Sequence, residues 1–217
     1  MQTFIVRVWL PDRPGALGQV ASRIGAVRGD VVGIDILERG AGRAIDELTI
    51  ELADESLLPL LVSEIGEVDG VDVEDVRPAI EFPDARLDAL DAAAVLVEAR
   101  TSSVLLRELV TWAHRSFEAD WAAAVDVDEA ALLAVHGTPP TTAWVAAFVA
   151  GTRSSSALAK GDCGPDDCAW AILGGTPVSV VLGRKGRPFR SRERRQLSAL
   201  ARIAGVRANE LSSPANA

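Results

Sequence analysis

Cysteine and histidine are scarce in this sequence, which limits the metal and thiol chemistry that it can support. The 217 residues include two cysteines and two histidines. Cys163 and Cys168 are separated by four residues, a spacing that matches neither a zinc knuckle nor the CxxC redox motif. His114 and His136 lie far upstream, so we expect no metal site. A disulfide across the Gly164–Pro165 turn is geometrically possible, but free thiols are expected in a reducing compartment.

Long apolar segments are also missing. No apolar run approaches the roughly 20 residues of a bilayer-spanning helix. The first ten residues alternate apolar and polar, without the basic start of a secretory signal. We therefore expect a cytoplasmic protein with no membrane partner. Hydrophobic residues make up 48% and charged residues 24% of the chain, which is typical of globular proteins. The length suits two domains, although one large domain is compatible with it.

Basic residues are too few for general nucleic-acid binding. The formal net charge is −9, whereas a phosphate backbone is held mainly by clustered Lys and Arg. The charge is uneven: between residues 45 and 98 only Arg77 and Arg86 are basic, while from Arg184 to Arg207 Glu193 is the single acid. A solvated helix face explains the basic segment, and a patch for a nucleic acid or an acidic partner is the alternative.

The usual catalytic motifs are absent as well. The sequence contains no G-x-S-x-G, no G-x-x-x-x-G-K-[ST] and no G-x-G-x-x-G. Neither His114 nor His136 is followed by a nucleophile motif, and the serines at 154–156 before Lys160 fit no standard Ser–Lys spacing. We therefore expect no catalytic residue and no cofactor. An enzyme with an unrecognised site in the C-terminal half remains the third alternative.

The first 78 residues show a regular alternation of strand and helix patterns. Strands are predicted where apolar and polar residues alternate, and helices where apolar residues recur every three or four positions. Pro14 is expected at the first helical position, where its missing N–H costs nothing. The predicted order is strand 3–10, helix 14–27, strands 31–38 and 44–52, helix 55–68 and strand 71–77. This order is the split βαβ pattern of a ferredoxin-like βαββαβ domain.

Two motifs in this order make the segment resemble an ACT domain. Asp12-Arg13-Pro14-Gly15-Ala16-Leu17 lies between the first strand and the first helix, and Gly29-Asp30-Val31-Val32-Gly33-Ile34-Asp35 opens the second strand. The resemblance covers about residues 1–78. It implies an amino acid bound between the loop of one copy and the second strand of a neighbouring copy, and therefore a homodimer.

Elementary chemistry supports the same loop as a binding site. The first N–H groups of a helix lack partners and favour an anion such as a carboxylate, and Gly15 allows close approach to the backbone. The alternative is that Pro14-Gly15 only makes a tight turn. The candidate ligand-binding residues are Asp12, Arg13, Pro14, Gly15, Ala16, Leu17, Val31 and Val32.

Val31 departs from the family pattern. Many ACT domains have an asparagine there that can hydrogen-bond an α-amino group, which valine cannot do. Asp35 or Asp30 would be a substitute partner for the ammonium group, although a solvated strand carboxylate is the commoner explanation of both.

The second half has a different pattern. Residues 79–85 are expected to be a linker, 86–211 a second α/β domain and 212–217 a disordered tail. Helices are predicted at 87–97, 104–117, 142–149 and from Ser191 as N-cap, and strands at 121–127, 132–136, 168–173 and 177–183. Residues 151–167 are expected to be a loop. The closing strands, Pro188-Phe189-Arg190-Ser191-Arg192-Glu193-Arg194 and the last helix resemble a GAF domain, which implies a central mixed or antiparallel sheet flanked by helices.

These features favour an α+β regulatory protein over an enzyme. The first hypothesis is a sensor that binds an amino acid in its ACT-like domain and acts through dimerisation or a protein partner. The second is a ligand-free interaction scaffold, which Val31 and the short GAF-like half favour.

Overall fold

The computed structural model describes residues 1–79, 84–153 and 165–213. The chain divides into two compact units, Met1–Pro83 and Asp84–Ala217. The predicted linker at 79–85 contains this division, but residues 80–83 lie outside the described part and Ala85 already begins a helix. Most of the predicted tail, residues 214–217, also lies outside the described part.

The N-terminal unit has the predicted order of elements. They are β1 (Gln2–Pro11), α1 (Ala16–Ala26), β2 (Asp30–Gly40), β3 (Arg43–Leu52), α2 (Leu58–Gly66) after a 3-10 turn at Glu55–Leu57, and β4 (Asp72–Pro78). The four strands form one antiparallel sheet in the order β2-β3-β1-β4. This strand order and the two crossover helices define a ferredoxin-like βαββαβ fold, as the sequence pattern predicts.

Alternation along the strands determines which face of the sheet is covered by helices. Phe4, Val6, Val8 and Leu10 of β1 join the same buried cluster as Val20 and Ile24 of α1 and Leu61 and Ile65 of α2. The opposite face carries Arg7, whose side chain is 1% exposed and pairs with Glu47 at 2.8 Å. The two faces of the sheet therefore differ sharply in polarity.

Helix α1 starts later than the sequence pattern predicts. Pro14 was expected at the first helical position, but the helix begins at Ala16. The inward residues are accordingly Ala16, Val20 and Ile24.

The C-terminal unit is a sheet between helices. Its elements are α3 (Ala85–Glu98), α4 (Ser102–Ser116), β5 (Trp121–Asp126), β6 (Ala131–Gly137), α5 (Thr142–Arg153), β7 (Cys168–Ile172), β8 (Val178–Gly183) and α6 (Ser191–Ser212). The sheet is antiparallel, in the order β6-β5-β8-β7. Residues 151–153, predicted as loop, belong to α5. The following segment, 154–164, lies outside the described residues.

Helices cover both faces of this second sheet. Ala122, Ala124 and Val180 pack with residues of α3, α4 and α6, whereas Ala123 and Val181 pack with Val145 and Val149 of α5. The predicted central antiparallel sheet with flanking helices is therefore present. Its assignment to the GAF family stays a prediction.

Helix α6 begins with a cap that differs from the predicted one. Arg190, not Ser191, is the N-cap residue, and its backbone N–H donates to the Glu193 carboxylate at 2.8 Å. Glu193 also pairs with the buried Arg184 at 2.9 Å. One carboxylate thus caps the start of the helix and gives the buried Arg184 a counter-charge.

Candidate functional site

The loop before α1 is a tight turn that exposes the start of the helix. Ala16 N–H donates to the Arg13 carbonyl at 3.3 Å, and Gly15 has φ 89° and ψ −16°. These values, with proline at the second position, define a type II β-turn, in which the third position needs a positive φ and is best filled by glycine. The Pro14-Gly15 turn is therefore present.

The first turn of α1 has no cap from its own side chains. No side-chain oxygen accepts a hydrogen bond at Gly15, and no acidic residue lies in the first turn. Within the described residues, the backbone N–H groups of Leu17 and Gly18 have no hydrogen-bond acceptor. A Cβ built on Gly15 or Gly18 would meet nothing within 4 Å. Two unpaired donors at the positive end of a helix, beside open space, suit a small anion.

Neighbouring strands hold this loop in place. Asp12 N–H donates to the carbonyl of Gly42 in the β2–β3 turn at 2.9 Å, and the Asp12 carboxylate lies 3.7 Å from the Arg39 guanidinium. Ala16 is buried in the core while residues 12–15 are exposed. The six predicted residues from Asp12 to Leu17 therefore form one continuous structural feature.

Within one copy of the chain, Val31 and Val32 lie far from that loop. Val31 pairs with Ile50 of β3, which also pairs with Phe4 near the start of β1. The loop follows Pro11 at the other end of β1, seven strand residues or roughly 24 Å away. A site that combines the loop with Val31 and Val32 needs a second copy of the chain, as the family resemblance implies.

The proposed substitutes for the missing asparagine also lie elsewhere. Asp30 is exposed at the start of β2, beside Val31. Asp35 pairs in register with Glu47, so it lies on the face of the sheet opposite the helices. Neither carboxylate is placed beside the N-terminus of α1.

Asp46 is a residue at the loop that the sequence reasoning missed. It is 3% exposed and pairs in register with Val8 of β1 and Ile36 of β2, which puts it on the face covered by helices. Its Oδ1 is enclosed and accepts no hydrogen bond from the described residues. The available signal was a lone acid in the otherwise apolar alternating positions of β3, which are Ala44, Asp46, Leu48, Ile50 and Leu52.

The loop residues act electrostatically on Asp46. Its pKa is raised because burial disfavours the charged form, the Arg39 charge partly offsets this rise, and the Asp12 charge adds to it. Since an orphaned buried carboxylate is unfavourable, either a proton or a cation bound next to it would stabilise this part of the unit.

The two histidines are brought together in the C-terminal unit. The rings of His114 on α4 and His136 on β6 lie 4.1 Å apart between centroids, tilted by 34°. The pKa of His114 is lowered by burial and by His136, partly offset by Asp120. The described residues contain no group of three or more His, Cys, Asp or Glu suited to a metal ion. The pair is a contact that spacing in the sequence does not reveal.

The thiol of Cys168 is buried, and burial raises its pKa to about 11. A thiol with such a pKa is protonated at neutral pH and is a weak nucleophile. Cys163 lies outside the described residues, so the possible disulfide is outside them too.

Comparisons with known proteins give fold likenesses only. No protein-family model matches the chain, and no curated protein matches it. The ACT domain of the GTP pyrophosphokinase of Chlorobium tepidum is 19% identical and matches 36% of this chain and 97% of its own, with a TM-score of 0.30. A formyltetrahydrofolate deformylase from Pseudomonas putida is 17% identical, matches 41% of this chain but 36% of its own, with a TM-score of 0.31.

A protein of unknown function from Galdieria sulphuraria matches more of the length. It covers 93% of this chain and 91% of its own, at 14% identity and a TM-score of 0.34. None of these likenesses carries a functional inference, so the fold assignment of the N-terminal unit depends on its strand order and register.

Among the described residues, every helix is too short or too polar to span a lipid bilayer.

Proposed function

We propose that this chain is a non-catalytic regulatory protein whose N-terminal unit binds a small molecule, an amino acid, at the loop 12–17. The observation that carries the proposal is the uncapped start of α1, where the N–H groups of Leu17 and Gly18 have no acceptor among the described residues and a Cβ on Gly15 or Gly18 would meet no atom within 4 Å. A ligand carboxylate would accept hydrogen bonds from these donors and would be stabilised by the helix dipole.

Regulation requires that the ligand binds two states of the protein with different affinity. The loop is joined to the β2–β3 turn through Asp12 and Gly42, and β2 is an edge strand of the sheet. A ligand that orders the loop would therefore also act on the edge at which a second copy or another protein can pair. We propose that the signal leaves the unit by this route.

Thermal unfolding of the full chain against each of the twenty amino acids tests the proposal. A ligand that binds only the folded state raises the midpoint by mass action. We expect a selective rise that is lost in Gly15→Asp, which fills the open space with a negative side chain, and is kept in Asp69→Asn, an exposed change outside the loop. No rise with any amino acid at millimolar concentration would reject the proposal.

A ligand-free interaction scaffold is the second candidate, and the surface of β2 favours it. Ile34 and Ile36 are 48% and 41% exposed on an edge strand whose outer hydrogen-bonding groups can pair with another chain. Sedimentation velocity discriminates between the two candidates. Dimers that form without any ligand and dissociate in Ile36→Lys support the scaffold, whereas ligand-dependent dimers support the sensor.

A further inference from the structure

An unpartnered carboxyl group lies beneath the loop that the proposed function uses. Asp46 is 3% exposed, and its Oδ1 has no hydrogen-bond donor among the described residues. Buried polar atoms in native proteins are nearly always satisfied, so such an atom calls for a physical explanation.

The position of Asp46 indicates that it belongs to the same site as the start of α1. Asp46 lies on the helix-covered face of β3, directly between Val8 and Ile36. Its electrostatic neighbours are Asp12 from the loop and Arg39 from β2, which also form an ion pair with each other. The carboxyl of Asp46 is therefore close to the loop. Arg39, the cationic residue that acts on this carboxyl, is itself paired with Asp12.

Two partly exposed isoleucines lie on the edge-strand side of the buried Asp46. Ile36, its direct neighbour on β2, is 41% exposed, and Ile34 farther along the same face is 48% exposed. These apolar side chains are the partly exposed surface next to the buried carboxyl.

We propose that Asp46 recognises the positively charged amine of a ligand whose carboxylate is held by the N–H groups of Leu17 and Gly18. This inference rests on the proposed function and assigns the amine contact to a residue of the same copy of the chain. The ligand class is a zwitterion with a free primary amine, and an apolar side chain suits the two isoleucines. Asp46 takes the role for which the sequence offered only Asp30 and Asp35.

The raised pKa of Asp46 agrees with this assignment, because a carboxyl that lacks a partner binds a proton more readily. The ligand amine and the proton compete for the same group. Arg39 and Asp12 are the charged groups that act on Asp46. Ligand affinity should therefore fall as the solution is acidified toward the range in which Asp46 becomes protonated.

Isothermal titration of the full chain tests the inference with matched ligands and variants. The ligands are the twenty amino acids, their N-acetyl derivatives, and ethylammonium chloride measured against sodium chloride at equal ionic strength. The variants are Asp46→Asn and, as a control for the same loss of charge, Asp69→Asn, since Asp69 is exposed and lies outside the loop. Asparagine is nearly isosteric with aspartate, and circular dichroism verifies that each variant is folded.

We expect an amino acid that binds the wild type to lose affinity on the order of tenfold or more in Asp46→Asn. It should lose a similar factor on N-acetylation and keep its affinity in Asp69→Asn. Equal binding by wild type and Asp46→Asn would overturn the assignment of Asp46 and leave the proposed function standing.

If no amino acid binds the wild type, the proposed function fails. In that case the titration with ethylammonium tests whether Asp46 forms a site for amines. Binding by the wild type that Asp46→Asn loses supports a site for amines, and absence of that binding overturns it. Asp46→Glu is the second variant: because it restores the charge with one more methylene, it should regain part of the affinity lost in Asp46→Asn.

Discussion

Asp46 gives the N-terminal unit a distinctive response to pH. Its pKa in the folded protein is raised above the ordinary value of 3.8 because burial disfavours the carboxylate, with Arg39 opposing and Asp12 adding to the effect. The folded state thus binds a proton more tightly than the unfolded state. The stabilisation is present below the unfolded pKa and is lost as the pH rises through the folded pKa.

The Asp46→Asn variant is not expected to lose stability in this way as the pH rises. Its free energy of unfolding should increase relative to that of the wild type as the pH rises from about 4 to about 7.5, because the wild type loses stability over this range. Urea unfolding at several pH values measures the difference. A difference that does not change with pH would mean that Asp46 has an ordinary pKa and is not an isolated buried carboxyl.

Glu47 shows the opposite behaviour on the other face of the sheet. Burial raises the pKa of Glu47, but Arg77 and Arg7 outweigh burial, and the net shift is downward. Both guanidinium groups lie within 3.0 Å of its Oε1. The stability that Glu47 contributes is present above its unfolded pKa and is lost as the pH falls through the lowered folded value.

Glu47→Gln is expected to destabilise the protein by about 3 kcal/mol, because Arg7 is then buried without its closest counter-charge. The comparison variant is Glu64→Gln. Glu64 pairs with Arg23 at 3.0 Å, but both side chains are partly exposed, and the loss should be less than about 1 kcal/mol. Equal losses in urea unfolding would show that the Arg7 pair is no more important than a surface pair.

The elements of the N-terminal unit were predictable because their apolar positions repeat with a clear period. The stripe of Phe4, Val6, Val8 and Leu10 defines β1, and the glycines at 40 and 42 mark the β2–β3 turn. The start of α1 was misplaced since proline fits both a first helical position and the second position of a type II turn. The positive φ of Gly15 and the hydrogen bond from Ala16 to Arg13 identify the turn.

The turn before α1 predicts opposite effects of the same substitution at two nearby glycines. Gly15 has a φ of +89°, where a Cβ is strained, whereas Gly18 lies within the helix and has open space around it. Gly15→Ala should destabilise by about 1 kcal/mol or more, and Gly18→Ala should stabilise by up to about 1 kcal/mol. Urea unfolding of both variants checks the sign, and a stabilising Gly15→Ala would contradict the turn.

The N-cap residue of α6 lies one position before the residue that the sequence pattern predicts. With Ser191 as the expected N-cap, the capping-box position fell on Arg194; with Arg190 as N-cap, it falls on Glu193. Glu193→Gln loses the charge that pairs with buried Arg184 and should cost about 3 kcal/mol. Glu210→Gln, near the other end of the helix and more exposed, should cost less than about 1 kcal/mol.

The two units have separate cores, and we therefore expect them to unfold in separate transitions. The core of the N-terminal unit includes Ile65, and Trp9 is the only tryptophan among residues 1–83. In a Trp9→Phe background, tryptophan fluorescence therefore reports the C-terminal unit alone. Ile65→Ala creates a cavity that costs about 3 kcal/mol. It should shift the circular dichroism transition and leave the fluorescence transition in place, whereas a joint shift would show one cooperative unit.

The candidate site was only partly predictable from the sequence. The loop is continuous in sequence, so its motif could be recognised, and its glycine and proline have a local physical meaning. Asp46 is 31 residues beyond Gly15 and reaches the loop only through the pairing of β3 with β1. Val31 and Val32 follow the loop closely in sequence but lie at the opposite end of the sheet, so sequence proximity did not indicate spatial proximity.

The central claim, that a small ligand binds at the start of α1, is tested most directly by NMR. The backbone amide signals of the ¹⁵N-labelled full chain are followed as an equimolar pool of the twenty amino acids, and then each one, is added. We expect the largest shifts at Leu17 and Gly18, with smaller shifts at Asp46 and Arg39. Shifts confined to other residues, or none at millimolar ligand, would contradict it.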